Sequence, residues 1–370
     1  MEFLPTTLGT RPRLAVEVRA EGVVAARAED AAALLTAVAR ADVATGAVAP
    51  GLKAGNIADH GGVVAAIRAA LDEIAGKGQD RSGGRDVTLV VPDAAVRVLL
   101  LDFDQLPSKM TEALPVVRFR LKKLLPFDAD TAAVSYQVMA SERGSVRVLA
   151  IAMPRDVLDE YEAVVIAAGY LPGAVLPSTL AAVAGLDTVE VPALVVNAGL
   201  GGVTTAIVKG GALLLHRSLD LSANLEDIAV EAMATEKSAA PDKSWIGQLP
   251  DGHDGYDRFD AEASMQASVV MTAEARELAA EANLQAEGRE VVQAVSVAAA
   301  YFEDTLQASP EALLTAGTMG AERLAGLMAA NGLEGLHVQE IVDVAMLEAG
   351  AATARVPRSW LAGVRGALKN

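Results

Sequence analysis

Cysteine is absent from this chain of 370 residues. That excludes disulfides, thiolate metal sites and a cysteine nucleophile, and it fits a reducing compartment. Aromatic residues make up only 4% of the chain, so a core must be built from alanine and branched aliphatics. Basic residues are in the minority: 31 Lys and Arg against 48 Asp and Glu leave a net charge of -17, which argues against a general nucleic-acid binder. The four histidines, His60, His216, His253 and His337, lie far apart and none has a second ligand at metal-binding spacing, so no metal site is expected. No Ser/His/Asp set or nucleophile elbow is present, and no catalytic residue is assigned.

Uninterrupted hydrophobic spans are lacking as well. The uncharged stretches 163–186 and 191–208 are broken by Pro172, Pro177, Pro192, Asn197 and several glycines. A membrane-spanning helix does not tolerate breakers at that density. The opening residues, MEFLPTTLGTRPR, have no basic start followed by an apolar core, so no secretion signal is expected. The chain reads as soluble, with no transmembrane segment of its own.

What is present is a recurring pattern of short strands, turns and helices. LAVEVR at 14–19 and GVVAARA at 22–28 form a hairpin around Ala20 and Glu21, and a further strand is expected near 43–49. Val63, Val64, Ile67, Ala70, Leu71 and Ile74 mark a helix over 61–75, before a flexible connector at 76–84. Strands follow at 87–91 and 96–103, then a helix from Ser108 to about Leu125, strands at 133–139 and 146–153, and a helix at 155–168 ended by Gly169. A short helix at 179–185 precedes a glycine-rich segment, ALVVNAGLGGVTTAIVKGGALLLHR at 193–217, which predicts three strands joined by turns. A helix at 223–236 and a mobile surface loop at 237–260 come next, and then a long helix over 272–306. A strand at 311–317 and helices at 320–330 and 358–368 complete the chain.

Two rounds of strand triplets followed by helices imply a duplicated α/β fold with mixed sheets. Without side chains at Gly199, Gly201 and Gly202, the turn's backbone N–H groups can approach an anion closely.

Several segments carry a likeness. They are Leu106-Pro107 with a helix ending Leu125-Pro126-Phe127-Asp128, Ser135-Tyr136-Gln137-Val138, Val148 to Arg155, Ala168-Gly169-Tyr170, and the 194–217 hairpin with Arg217. On these the chain resembles the type IV pilus assembly protein PilM family, bacterial actin-like proteins related to the division protein FtsA. The resemblance implies a duplicated actin-like (ribonuclease H-like) two-lobed α/β fold with an inserted small α+β subdomain. The first lobe would cover 1–85, the insert 86–177, a return to the first lobe 178–190, and the second lobe 191–370. Family members work in the cytoplasm beneath the inner membrane and bind ATP with magnesium between the lobes. They grip the N-terminal cytoplasmic tail of the membrane protein PilN beside the insert, connecting it to the pilus motor ATPase.

The family's nucleotide site is built from two phosphate hairpins and an adenosine loop. At the first hairpin the family's aspartate, apolar residue and glycine correspond to Glu17, Val18 and Arg19. Arg19 either neutralises phosphate charge or is an outward surface arginine. At the second, Asn197 stands where the family has aspartate, while Gly199, Gly201, Gly202, Thr204 and Thr205 remain suitable. Asn supplies neither a base nor a charged magnesium ligand. In the third, Thr315 to Gly320 keeps Gly317 and Thr318 but only two glycines. Three deviations together predict weak or absent nucleotide binding and an adaptor rather than an enzyme. The alternatives are an active ATPase using Glu17 and Asn197, and the cytoplasmic domain of a GspL-like type II secretion protein. The latter continues into a membrane helix, whereas this sequence ends at Asn370.

The helix at 116–125 carries Arg118, Arg120, Lys122 and Lys123. These face an acidic partner, an anionic membrane surface or simply solvent.

Overall fold

The computed structural model describes residues 12–75, 85–142, 144–186, 191–221, 273–333, 336–352 and 355–369, with backbone alone over 273–287. The expected connector at 76–84, the helix at 223–236, the loop at 237–260 and His253 lie outside the described residues. Leu221–Glu290 forms a compact unit of its own, in which the backbone of one helix is described from Ala273. The other unit comprises Met1–Asp220 and Val291–Asn370.

Two five-stranded sheets organise that unit. The first contains β1 (Leu14–Arg19), β2 (Gly22–Ala28), β3 (Leu35–Asp42), β4 (Asp86–Val91) and β8 (Leu171–Pro177) in the order β3-β2-β1-β4-β8. The second contains β9 (Ala193–Gly199), β10 (Gly202–Lys209), β11 (Ala212–Asp220), β12 (Ala312–Gly317) and β13 (His337–Glu340) in the order β11-β10-β9-β12-β13. In each sheet an antiparallel triplet continues into two parallel strands. The two orders superimpose strand for strand, and the expected duplication is present. Strand β3 occupies 35–42 rather than 43–49, because alternating Leu35, Ala37, Ala39 and Ala41 continue the β2 ladder up to Asp42. Strand β13 and a short helix, α7 (Ala349–Ala352), are additions to the expected elements.

The strands bury residues on both faces, which is why β1 lacks an in–out alternation: all six of its residues are buried. One face of the first sheet is covered by α1 (His60–Ala75), through Val63, Ile67, Ala70, Leu71 and Ile74, together with α3 (Arg155–Ala167). Each fully buried Leu, Ile or Val side chain stabilises by roughly 1.5–3 kcal/mol before entropy is counted.

The segment 86–177 divides between two sheets. Strands β4 and β8 belong to the first sheet and α3 packs into its core. A separate sheet, ordered β5-β7-β6, contains only β5 (Arg97–Phe103), β6 (Ala133–Glu142) and β7 (Ser145–Met153). It has its own small core, in which Val117 and Leu121 of α2 (Met110–Leu121) meet Leu101, Val148 and Ala150. The inserted element is therefore narrower than 86–177. Helix α2 stops at Leu121, short of Pro126. Of its basic residues, Arg118 turns inward to the Ala129 and Ala132 carbonyls and Lys122 pairs with Asp130.

The 191–370 segment is also not one lobe. Helix α5 (Ala273–Leu306) enters this unit at Val291, and α6 (Ala321–Ala330) lies between β12 and β13. The chain then returns to the first sheet. The Glu348 N–H donates to the Leu35 carbonyl, and α8 (Leu361–Leu368), buried along its whole length, packs on β1, β2 and β4. It also packs on α4 (Ser178–Ala184), its counterpart after the last strand of the first sheet. The approach is close: a Cβ on Gly366 would lie 1.8 Å from the Ala181 carbonyl oxygen. Arg365 and Lys369 donate to the Gly185 carbonyl at the end of α4, where cations suit the negative end of the dipole. This crossing puts the C-terminal helix beside the first lobe's hairpin.

Candidate functional site

The ends of β1, β4 and β9 and the start of α4 converge on a buried polar cluster. Strand β1 delivers Glu17 and Arg19, the turn after β4 delivers Asp93, α4 begins with Ser178 and Thr179, and β9 contributes Asn197. All six are buried, so each polar group must find a partner inside the protein.

They find it in one another. The Arg19 guanidinium turns inward and pairs with the Glu17 carboxylate at 2.5 Å. The same Arg19 donates to Ser178 Oγ at 3.0 Å and to Asn197 Oδ1 at 3.5 Å. Ser178 in turn donates to Glu17 Oε1 at 2.6 Å. Asp93 accepts the Thr179 backbone N–H at 3.1 Å and the Thr179 hydroxyl, capping α4 from another part of the chain. The Asn197 amide group donates to Asp93 Oδ2 at 3.2 Å, Ser178 Oγ at 2.8 Å and Thr179 Oγ1 at 3.0 Å.

Complete burial pushes the Glu17 carboxyl up from its ordinary range, only partly offset by Arg19 and the Ser178 hydroxyl. Its Oε2 has no hydrogen-bond partner and faces Gly363 of α8, where a Cβ would lie 2.5 Å away. Removing water from a charge this completely is expensive unless a counter-charge is adjacent, and Arg19 is that counter-charge. It is not an outward surface arginine.

The glycine segments have structural roles that the sequence did not reveal. Strands β9 and β10 pair Gly199 with Gly202, leaving Leu200 and Gly201 as a two-residue turn with Gly201 at φ +81°. The loop after β12 lies against this turn. The Thr318 and Met319 N–H groups both donate to the Ala198 carbonyl. Gly317, at φ +90°, lets the loop approach, since a Cβ there would lie 2.4 Å from the Ala198 oxygen and 2.5 Å from Asn197 Oδ1.

Eight of the ten residues singled out by sequence therefore come together directly: Glu17, Arg19, Asn197, Gly199, Gly201, Gly202, Gly317 and Thr318. Thr204 joins them, opposite Asn197 in the β9–β10 ladder and bonded to Ser218 at 3.0 Å. Thr205 does not: it follows Thr204 on β10, points to the opposite face of the sheet, and its buried hydroxyl has no partner. Sequence reasoning missed Asp93, Ser178, Thr179 and Glu21. Pro92-Asp93 directly after a strand and Pro177-Ser178-Thr179 directly before a helix were the available signals.

The space left between the hairpins is a cavity of about 60 Å³, lined by Arg19, Glu21, Asp93, Ser178, Asn197 and the 199–202 turn. A larger hollow beside it, about 420 Å³, is lined by the 51–55 loop, Arg97, Ser218 and Asp220. None of the ten residues expected at a nucleotide site lines this second hollow. Among the described residues no cluster of His, Asp or Glu suited to a metal ion is present, and no helix is long and apolar enough to cross a membrane.

No family model matches the chain, and no curated protein matches it. Solved structures do. A PilM–PilN type IV pilus biogenesis complex aligns over 96% of this chain and 98% of that one, at a TM-score of 0.64 and 18% identity. The cytoplasmic domain of EpsL, an inner-membrane component of the type II secretion system of Vibrio cholerae, aligns over 64% and 78% at a TM-score of 0.36 and 12% identity. The ethanolamine utilization protein EutJ from Carboxydothermus hydrogenoformans aligns over 97% and 89% at a TM-score of 0.40 and 12% identity. The strand orders and the full-length superposition establish the fold: this chain has the duplicated actin-like fold.

Proposed function

We propose that this chain is a PilM-like adaptor of a type IV pilus or related secretion machine, with no nucleotide in its site. In this reading it lies in the cytoplasm beneath the inner membrane, held there by the N-terminal cytoplasmic tail of a PilN-like membrane protein. It passes assembly state toward the motor ATPase. Full-length likeness to a PilM–PilN complex supports the adaptor. The strand β6, at the edge of the small sheet, offers main-chain groups on which an extended tail can add.

The single observation that carries the nucleotide-free part is the buried Arg19–Glu17 pair. The residues at this site do not fit a magnesium-bound triphosphate. Glu17 is committed to Arg19, Asp93 to the α4 N-terminus, and Asn197 is neutral, which leaves Glu21, already held by the Leu200 N–H and the Thr318 hydroxyl, as the remaining carboxylate at the cavity. The cavity of about 60 Å³ lined by Arg19, Glu21, Asp93 and Asn197 is small against the roughly 300–1,000 Å³ of sites that take small-molecule ligands, and none of the four lines the adjoining hollow of about 420 Å³. What these residues do instead is fix the ends of β1, β4 and β9 and the start of α4 against one another, a rigid frame on which a partner can pull.

Two titrations test the two halves separately. Calorimetry with a synthetic peptide of the PilN-like N-terminal tail is expected to show saturable binding without nucleotide; no binding refutes the adaptor. Fluorescent ATP with magnesium, taken to millimolar, is expected to show no saturation, and micromolar affinity refutes the closed site.

A further inference from the structure

The β1–β2 turn carries a second charge that the Arg19–Glu17 pair does not use. Glu21 reaches across to the other hairpin, where its Oε1 accepts the Leu200 backbone N–H at 2.5 Å. The same oxygen accepts the Thr318 hydroxyl. These contacts join residues 179 and 297 positions apart in the sequence. Leu200 is the first residue of the glycine turn, beyond the last ladder pair, so its amide is not consumed by the sheet. Gly199 keeps the approach open: a Cβ there would lie 2.6 Å from Glu21 Oε1 and 2.7 Å from Thr318 Oγ1. A turn amide and a hydroxyl that converge on one point, with no side chain between them, form the donor arrangement of an oxyanion site. Here the oxygen at that point belongs to the protein.

We propose that Glu21 is a built-in anion: its carboxylate fills the oxyanion position of the glycine turn and clasps the β1–β2 turn to the second sheet. A free oxyanion of the phosphate class takes that position only when Glu21 is removed. This deepens the nucleotide-free reading at the same site, yet its test uses neither partner nor nucleotide, so the two stand or fall separately.

The experiment is hydrogen exchange on the full chain, read at the Leu200 amide, with and without millimolar inorganic phosphate. Thermal melts are taken alongside. In Glu21→Ala the Leu200 amide is expected to exchange about tenfold faster or more, as loss of a hydrogen bond to a charged acceptor implies, while the amides of the β9–β10 ladder keep their rates. Phosphate slows that amide again and raises the melting temperature of Glu21→Ala but not of the wild type. Glu21→Gln, which keeps an acceptor oxygen without the charge, falls between the two and ensures a readable variant. An unchanged Leu200 rate in both variants overturns the proposal. So does phosphate stabilising the wild type as much as Glu21→Ala, or sodium chloride at equal ionic strength reproducing the phosphate effect.

Discussion

The β1–β2 and β9–β10 hairpins hold the same place in two sheets of the same strand order, and they carry opposite chemistry. The first brings charges: Glu17, Arg19 and Glu21. The second brings neutral donors and bare backbone: Asn197, Gly199, the Leu200 amide and Thr204. The repeated strand order gives two equal frames, and their contents are complementary. Neither hairpin is self-sufficient, because the buried Arg19 and the half-buried Glu21 of one are hydrogen-bonded to neutral groups of the other.

Breaking the charged side should have the largest effect. Arg19→Met removes the cation beside a fully buried carboxylate and is expected to destabilise the protein by about 3–5 kcal/mol, measured by urea unfolding. Adding Glu17→Leu should recover most of the loss, because the buried charge then disappears with its partner. An unchanged unfolding midpoint in Arg19→Met would mean that the pair is not the anchor described here.

The neutral side is tested by giving position 197 a charge. Asn197→Asp removes the two amide N–H donors that are shared among Asp93, Ser178 and Thr179 and puts a second carboxylate 3.2 Å from Asp93. The expected loss is about 1–3 kcal/mol with no gain of ATP binding. Asp93→Asn introduced with it should restore part of that stability, and a double-mutant cycle reads the coupling directly. Additive losses would separate the two residues. Coupled losses would show that Asn197 is fitted to Asp93.

The smallest effect is a pH dependence from Glu17. Burial raises its folded-state value above the ordinary 4.5. Between the two values the folded protein holds a proton that the unfolded chain has released, and above the raised value Glu17 is the carboxylate paired with Arg19. That contribution is complete below the ordinary carboxylate range and is lost as pH rises through the raised value. Unfolding free energy measured from about pH 4.5 to 7 should carry a downward component in the wild type that is missing in Glu17→Gln. Parallel slopes in the two proteins would exclude it.

Much of this molecule was legible in its sequence. The hairpin at 14–28, the α1 stripe and the glycine-bounded strands at 193–217 all rest on periodicity or turn chemistry, which operate within a few residues. The misplacements have physical causes. Strand β3 was set too late because alanine-rich segments give weak contrast between strand and loop. The insert was drawn too wide because β4 and β8 look like its neighbours in sequence, while pairing assigns them to the first sheet. Thr205 was grouped with Thr204 although the two-residue period of a strand sends them to opposite faces.

The sequence by itself determined the repeated strand and helix pattern, the turns at Gly199–Gly202, and the exclusion of thiol chemistry. Tertiary structure alone decided what the polar residues mean. Arg19 faces Glu17 and Ser178, Asn197 faces Asp93, and Glu21 faces Leu200 and Thr318. Except for the first pair, these groups are 104 to 297 positions apart. Local patterning cannot specify such contacts. They are set by the packing of α4 and α8 on one another and on the strands, which buries Glu17, Arg19, Asp93 and Asn197 and requires each of them to find a partner there.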